Sequence, residues 1–158
     1  MTPTQQSALE TLAGRAMTAS EVTMAGARQD ATLAASLSVG RTVQGSVTPS
    51  QFLAWSAATG LRATIEDIAA GLIPAGSSLV AGQVQALRPT ALAMLDCIRS
   101  GISLDLSSSV TGQGNLQMLG AWVTQGAMTA AQEAQLVGLA KTAAPISTDQ
   151  VSSVLNGA

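Results

Sequence analysis

Apolar side chains recur every three or four residues along most of this chain, which is the spacing of one face of an α-helix. The stretch 115–125 shows the pattern clearly. Its Leu116, Leu119 and Val123 fall on one side of a helix. Gly126 follows at the position where a helix commonly ends in a left-handed residue. Similar periods elsewhere predict about six to eight short helices.

Helix starts carry a repeated sequence signature, the capping box. In this motif a Thr or Ser oxygen accepts from a backbone N–H three residues on, and a Gln or Glu at that third position accepts from the backbone N–H of the cap. Five such pairs are present: Thr2 and Gln5, Thr18 and Glu21, Thr48 and Gln51, Thr129 and Gln132, and Ser147 and Gln150. Five boxes in register with apolar periodicity predict five helix starts.

Other segments interrupt the helical pattern. Residues 71–77 and 107–114 contain several Gly and Ser residues and predict loops, the second as a flexible connector. Pro89 is expected to kink or break a helix, because proline disfavours the helical conformation of the residue before it. Asp30 is the expected cap of another helix. Residues 102–106 alternate apolar and polar, but no partner strand is evident, so they predict an extended linker across the helices.

These elements predict an all-α fold: a compact single-domain bundle with one extended segment near residues 102–106. A chain of 158 residues has the length of one domain and buries about 70% of the surface that its unfolded form exposes. We therefore expect one domain and one core over residues 1–158. N-terminal helices would lie in 1–42, middle helices and loops in 43–111, and capped C-terminal helices in 112–158.

The composition points to a surface that other subunits cover. Only 10% of the residues are Asp, Glu, Lys or Arg, against about 25% in an average globular protein. A surface with so few charges resists association weakly. A net charge of −2 with a single Lys argues against nucleic-acid binding, which depends on basic side chains that neutralise phosphates. We therefore expect protein partners and no direct contact with nucleic acid.

Residue types that carry out catalysis are scarce. The chain has no His, so it lacks the usual base for a Ser or Cys nucleophile. Glu66 and Asp67 are adjacent, but neighbouring helical residues point about 100° apart and do not share a proton. Cys97 lies in an apolar helical pattern and is expected to be a buried, inert thiol. No spacing of metal ligands is present. We expect no enzyme activity, no catalytic residues, no metal and no cofactor.

The segment 68–87 raises the question of a membrane span, because it has no charge over twenty residues. Pro74, three glycines and four Ser and Gln residues interrupt it, and the N-terminal residues lack the pattern of a signal peptide. We expect no membrane contact, and the segment could instead be buried or lie at an interface.

Two stretches resemble a group of known proteins. The first is 30–41, which ends in Leu-Ser-Val-Gly-Arg and continues to Thr42. The second begins with Gly-Ala-Met-Thr at 126–129, runs to Leu136, and is followed by Ile-Ser at 146–147 and by Val151. They resemble small alanine-rich helical proteins encoded among the structural genes of tailed bacteriophages. The resemblance implies a virion component of a head, neck or tail, present in the host cytoplasm during assembly, that binds copies of itself or other virion proteins.

Interface residues are expected where apolar side chains lack a helical face to pack against. The first candidates are Leu72, Ile73 and Pro74 in one loop, and Ile102, Leu104 and Leu106 in the extended segment, whose alternation would leave a free edge for another chain. Phe52 and Trp55 are secondary candidates as aromatic anchors, although packing in the core is the favoured role for each. The expected function is that of a virion structural subunit that forms a homo-oligomer. A phage-encoded interaction or adaptor module is the alternative, and a membrane-active lysis protein using 68–87 is a third.

Overall fold

A computed structural model describes residues 1–157 of the chain. It is mainly helical, with 66% of the chain in helix. The described residues contain nine helices: α1 (Pro3–Ala13), α2 (Ala19–Gly26), α3 (Asp30–Ser38), α4 (Pro49–Ala58), α5 (Leu61–Ala70), α6 (Ala81–Ser100), α7 (Val110–Gln125), α8 (Ala130–Leu139) and α9 (Thr148–Asn156). Four short strands accompany them: β1 (Thr42–Gln44), β2 (Ser46–Val47), β3 (Leu104–Asp105) and β4 (Lys141–Ala143). The all-α prediction is therefore right for most of the chain and omits two small sheets.

All five predicted capping boxes are confirmed, at the starts of α1, α2, α4, α8 and α9. At α4 the backbone N–H of Gln51 donates to Thr48 Oγ1 over 3.3 Å, and the backbone N–H of Thr48 donates to Gln51 Oε1 over 2.9 Å. The predicted stop at Gly126 is also confirmed, since this glycine ends α7 with a φ of 80°. Local side-chain chemistry thus defines more than half of the helix starts.

Two predicted helix boundaries are wrong. Asp30 is the first residue of α3 rather than its cap, and Gln29 precedes it without a side-chain cap bond. The carboxylate of Asp30 instead accepts from the hydroxyl of Ser152 in α9 over 2.5 Å. The connector expected at 107–114 is partly helical, because α7 begins at Val110 and its cap, Ser109, accepts from the N–H of Gly112.

Pro89 does not break its helix, contrary to expectation. It lies inside α6, which runs without interruption over 20 residues. Leu87 and Ala91 on either side of the proline are both buried, and Arg88 Nε donates to the carbonyl oxygen of Ala69 in α5 over 3.1 Å. Packing along α5 therefore outweighs the backbone hydrogen bond that proline cannot make.

The chain divides into two compact units. The first contains residues 1–43 and the residues after 141, and the second contains residues 44–141. The buried apolar side chains form one cluster in each unit. The buried side chains thus form two clusters rather than the single core expected from the chain length, and the first and last helices belong to the same unit.

In the first unit α9 packs against α1 and α3. Its Val151 and Leu155 join Leu9, Leu33 and Leu37 in the core. The side chain of Gln5 in α1 donates to the carbonyl oxygen of Leu155 over 2.9 Å. The helices from the two ends of this unit's sequence therefore share one core.

In the second unit the most extensive helix contact is between α5 and α6. Trp122 of α7 is buried, and its indole N–H donates to Thr90 Oγ1 of α6 over 2.7 Å. Gln132 of α8 donates to the carbonyl oxygen of Thr59 at the end of α4 over 3.2 Å. These bonds join α4, α6, α7 and α8 within one unit.

The extended segment near 102–106 is a strand with a partner, which corrects the expectation of a linker. Within it β3 pairs antiparallel with β2, and Leu104 lies opposite Val47. The N–H of Leu106 extends the pairing by donating to the carbonyl oxygen of Gly45 over 2.9 Å. The other two strands, β1 and β4, form the second sheet. Each of these strands is too short to be recognised as a strand from its own sequence, and the paired strands lie far apart in the chain.

Candidate interaction surface

The loop expected at an interface presents two of its three candidate side chains to solvent. Leu72 is 58% exposed and Ile73 is 52% exposed. Pro74 is buried, and its carbonyl oxygen accepts from both the N–H and the hydroxyl of Ser77. Leu72 and Ile73 are therefore available to another molecule, whereas Pro74 helps to form the turn.

The second candidate segment presents only one of its three apolar side chains. Ile102 is 61% exposed, whereas Leu104 and Leu106 are buried in the core of the second unit. The alternation that suggested a free edge therefore reflects a strand with one face on the core and its backbone paired with β2. Among these candidates only Ile102 can contribute to an interface without local unfolding.

The two aromatic candidates, Phe52 and Trp55, are both largely buried, at 3% and 7% exposure. Their ring centroids are 5.4 Å apart and the rings are tilted by 43°, a geometry typical of favourable aromatic pairs. Phe52 therefore serves the core. Trp55 does so as well, but one side of it borders a groove.

A groove of about 480 Å³ lies between α4 and α8 in the second unit. Its lining residues are Gln51, Ala54, Trp55, Ala58, Gln135 and Leu139. None of these side chains is charged. Four of them lie on α4 at intervals of three and four residues, which places them on one face of that helix. The groove is open to solvent, and its lining favours contact with an uncharged, apolar surface.

Trp55, which borders this groove, has an unusual polar feature. Its indole Nε1 is buried and has no hydrogen-bond partner among the described residues. The other tryptophan, Trp122, satisfies its indole N–H with Thr90. A buried donor without an acceptor costs about 1–3 kcal/mol, and its burial also keeps this nitrogen out of reach of a molecule in the groove.

The most perturbed acid in the chain is Glu21, which is 1% exposed. Its carboxylate oxygens accept from both terminal nitrogens of Arg15, at 2.7 and 2.9 Å, and from the hydroxyl of Ser36 at 2.7 Å. The backbone N–H of Thr18 adds a bond of 2.8 Å. The Arg15 guanidinium, aided by these donors, holds the pKa of Glu21 far below its usual range despite burial. This arrangement keeps a carboxylate charged and fully bonded, which suits a structural role.

Cys97 is partly buried on α6, rather than fully buried as expected. Burial raises the pKa of its thiol, and the neighbouring Asp96 raises it further. The thiol borders a cavity of about 10 Å³ whose other lining residues, such as Ile98 and Leu104, are apolar. Because the thiolate is the nucleophilic form, this environment favours an unreactive cysteine.

Residues 1–157 contain no group of three or more His, Cys, Asp or Glu side chains arranged to hold a metal ion. None of the helices in the same range combines the length and apolar character that crossing a membrane requires. The segment 68–87 is divided among the end of α5, a loop and the start of α6. The groove and the exposed apolar side chains are therefore the main candidates for function.

Comparison with protein-family models, curated proteins and solved structures gave no match to this chain.

Sequence reasoning identified Trp55 but missed the rest of the groove. The spacing of Gln51, Ala54 and Ala58 around Trp55 was a visible signal, since these residues repeat at helical intervals on one face. The contribution of Gln135 and Leu139 from α8 depends on how the two helices pack. No local pattern in the sequence reports that packing.

Proposed function

We propose that this protein is a structural subunit of a tailed-phage particle that acts by binding copies of itself or neighbouring subunits. The observation that carries the proposal is a set of large apolar side chains exposed on the second unit. They are Leu53, Leu72, Ile73, Val80, Leu92, Ile102, Val110 and Leu139, with exposures of 38% to 91%. Contiguous apolar patches are typical of protein–protein interfaces, and Leu72 and Ile73 are neighbours in one loop.

The magnitudes support association through several of these side chains together. Fully burying a Leu or Ile side chain is worth about 1.5–3 kcal/mol, so covering a half-exposed one contributes about 1 kcal/mol. Leu72, Ile73 and Ile102 would together contribute about 3 kcal/mol, which offsets only part of the cost of association. A stable contact therefore needs a larger surface, such as the groove, in addition to the loop.

The assignment to a phage particle follows from the resemblance of 30–41 and 126–151 to structural proteins of tailed phages. Assembly in the host cytoplasm and residence in the virion accompany that assignment. The exposed apolar side chains support assembly independently of the resemblance.

Sedimentation of the purified protein at low and high salt tests the assembly. We expect oligomers at tens of micromolar whose association depends only weakly on salt, because few charges take part. A monomer at both salt concentrations, with no partner recovered from the native source, would contradict the proposal.

Mass spectrometry of purified particles tests the location. We expect the chain in intact particles at a copy number that matches a ring or shell. Its absence from particles, together with a stable complex with a non-virion protein, would favour the adaptor module instead.

A further inference from the structure

We infer that Arg28 is a latch that fastens α9 to the N-terminal helices of the first unit, so that α9 is a strap whose closing depends on one charged side chain. The latch belongs to the first unit, whereas the exposed apolar side chains behind the proposed function belong to the second. The role of Arg28 is thus separate from assembly through those side chains.

Arg28 has a backbone conformation that is unusual for its residue type. Its φ is 57°, and every other residue with positive φ in the range 1–157 is a glycine. Arg28 ends α2 in a turn where glycine is usual: its N–H donates to the carbonyl oxygen of Ala25 over 3.3 Å, and the N–H of Gln29 donates to that of Met24 over 3.0 Å. A residue with a Cβ is unfavourable in this conformation. An arginine at this position therefore indicates a role for its side chain.

The side chain of Arg28 reaches the last turn of α9. Its Nη2 donates to Asn156 Oδ1 over 2.9 Å, and its Nη1 lies 3.5 Å from the carbonyl oxygen of Leu155. The last carbonyl oxygens of a helix have no partner within the helix, and a cation is favourable beside them. The guanidinium therefore caps the C-terminal end of α9 from a residue 128 positions away from Asn156 in the chain.

Asp30 extends the latch toward the middle of α9. Its Oδ2 lies 3.4 Å from Arg28 Nη2 and accepts from the hydroxyl of Ser152 over 2.5 Å. The three residues of α9 that Arg28 and Asp30 contact are Ser152, Leu155 and Asn156. Their spacing places them on one face of the helix. The latch therefore holds α9 along one side and at its end.

The strain at Arg28 and the latch act on different equilibria. The two backbone bonds of the turn lie within residues 24–29 and do not involve α9, so the turn can keep its conformation when α9 opens. Relief of the strain then stabilises the first unit as a whole, whereas loss of the guanidinium favours local opening of α9. The two effects change the hydrogen exchange of the α9 amides in opposite directions.

Hydrogen exchange of the full chain, followed by mass spectrometry, tests the latch. Arg28→Gly removes the guanidinium and the strain together, and Asn156→Ala removes the acceptor of the 2.9 Å bond without changing the turn. Ser153→Ala is the matched control. Ser153 is also an exposed polar residue of α9, but the side-chain hydrogen bonds of Arg28 and Asp30 within residues 1–157 do not reach it. Far-UV circular dichroism establishes that each variant is folded.

We expect the amides of residues 148–156 to exchange about fivefold faster in Arg28→Gly and in Asn156→Ala than in the wild type, because each variant loses a bond to a charged group. Exchange in Ser153→Ala should equal that of the wild type. The variant with both substitutions should exchange no faster than Arg28→Gly, because both remove the same bond.

Two results would overturn the inference. Slower or unchanged exchange of the α9 amides in Arg28→Gly would mean that Arg28 only ends α2. Faster exchange in Arg28→Gly with unchanged exchange in Asn156→Ala would mean that the bond to Asn156 does not hold α9. Neither result bears on the proposed function, which depends on whether the protein assembles.

Discussion

Glu21→Gln should destabilise the protein more than the corresponding substitution of any other acidic residue, Asp to Asn or Glu to Gln. The two carboxylate oxygens accept five hydrogen bonds, from Arg15, Thr18 and Ser36. An amide in the same place must turn its NH2 group toward one of the Arg15 nitrogens, so donor meets donor in either orientation. The substitution removes an ion pair and at least one further bond at a site that is 1% exposed.

The size of the effect follows from the geometry. Removing one partner of a buried ion pair costs about 3–5 kcal/mol. The Arg15 side chain is 38% exposed, so its remaining charge is hydrated and the cost is reduced. We expect a loss of about 2–3 kcal/mol in the free energy of unfolding at pH 7. Glu133→Gln is the control, because Glu133 also lies in the first turn of a helix but has no salt bridge among the described residues.

The pH dependence gives an independent check on the ionised form of Glu21. Its folded-state pKa is lowered from an ordinary value of 4.5, so its stabilising contribution is complete above pH 4.5 and is lost as pH falls below it. Each pH unit removes up to about 1.4 kcal/mol. The difference between the wild type and Glu21→Gln should therefore shrink by roughly 2 kcal/mol between pH 7 and pH 3.

Urea denaturation followed by far-UV circular dichroism measures both effects. Tryptophan fluorescence adds a comparison, because Trp55 and Trp122 both belong to the second unit and report on it. A loss below about 0.5 kcal/mol at pH 7, or a difference that does not change with pH, would refute the reasoning, since a fully bonded buried carboxylate cannot behave in that way.

Two further pairs of substitutions test local packing and capping. Gly112→Ala should lower the free energy of unfolding by about 2 kcal/mol, because a Cβ there would collide with the backbone of Ser107. Gly114→Ala in the same helix meets open space and should raise the free energy of unfolding by about 0.5–1 kcal/mol. Equal effects of the two substitutions in thermal melting would contradict the contact at Gly112. Thr129→Ala and Ser147→Ala should each cost about 1 kcal/mol through loss of a confirmed helix cap. Unchanged melting curves for both would mean that these caps contribute little in solution.

The helix starts were largely predictable, because a capping box places donor and acceptor three residues apart in the same segment. Thr18 and Glu21 illustrate both the success and its limit. The sequence indicates their mutual bonds at the start of α2, and these are present. The bonds of Glu21 to Arg15 and Ser36 depend on how the chain turns between helices, which a local signature does not contain.

Long-range pairing was the part that could not be predicted. The sheet of β1 and β4 joins segments nearly one hundred residues apart, and each strand has only three residues. So few residues cannot establish a period of two, and their burial is decided by their partners. The same reasoning applies to Leu104 and Leu106, whose alternation suggested a free edge until β2 is placed beside them.

The position of α9 in the core of the first unit determines which of the two units can fold first during synthesis. Its Val151 and Leu155 complete the cluster that includes Leu9 and Leu33, so the three N-terminal helices lack part of their core until the last of these residues has left the ribosome. At the usual speed of translation that interval is on the order of ten seconds. Residues 44–141 have their own core and can fold during that interval. The N-terminal helices are thus the segment most exposed to proteases and to premature contacts with other nascent copies.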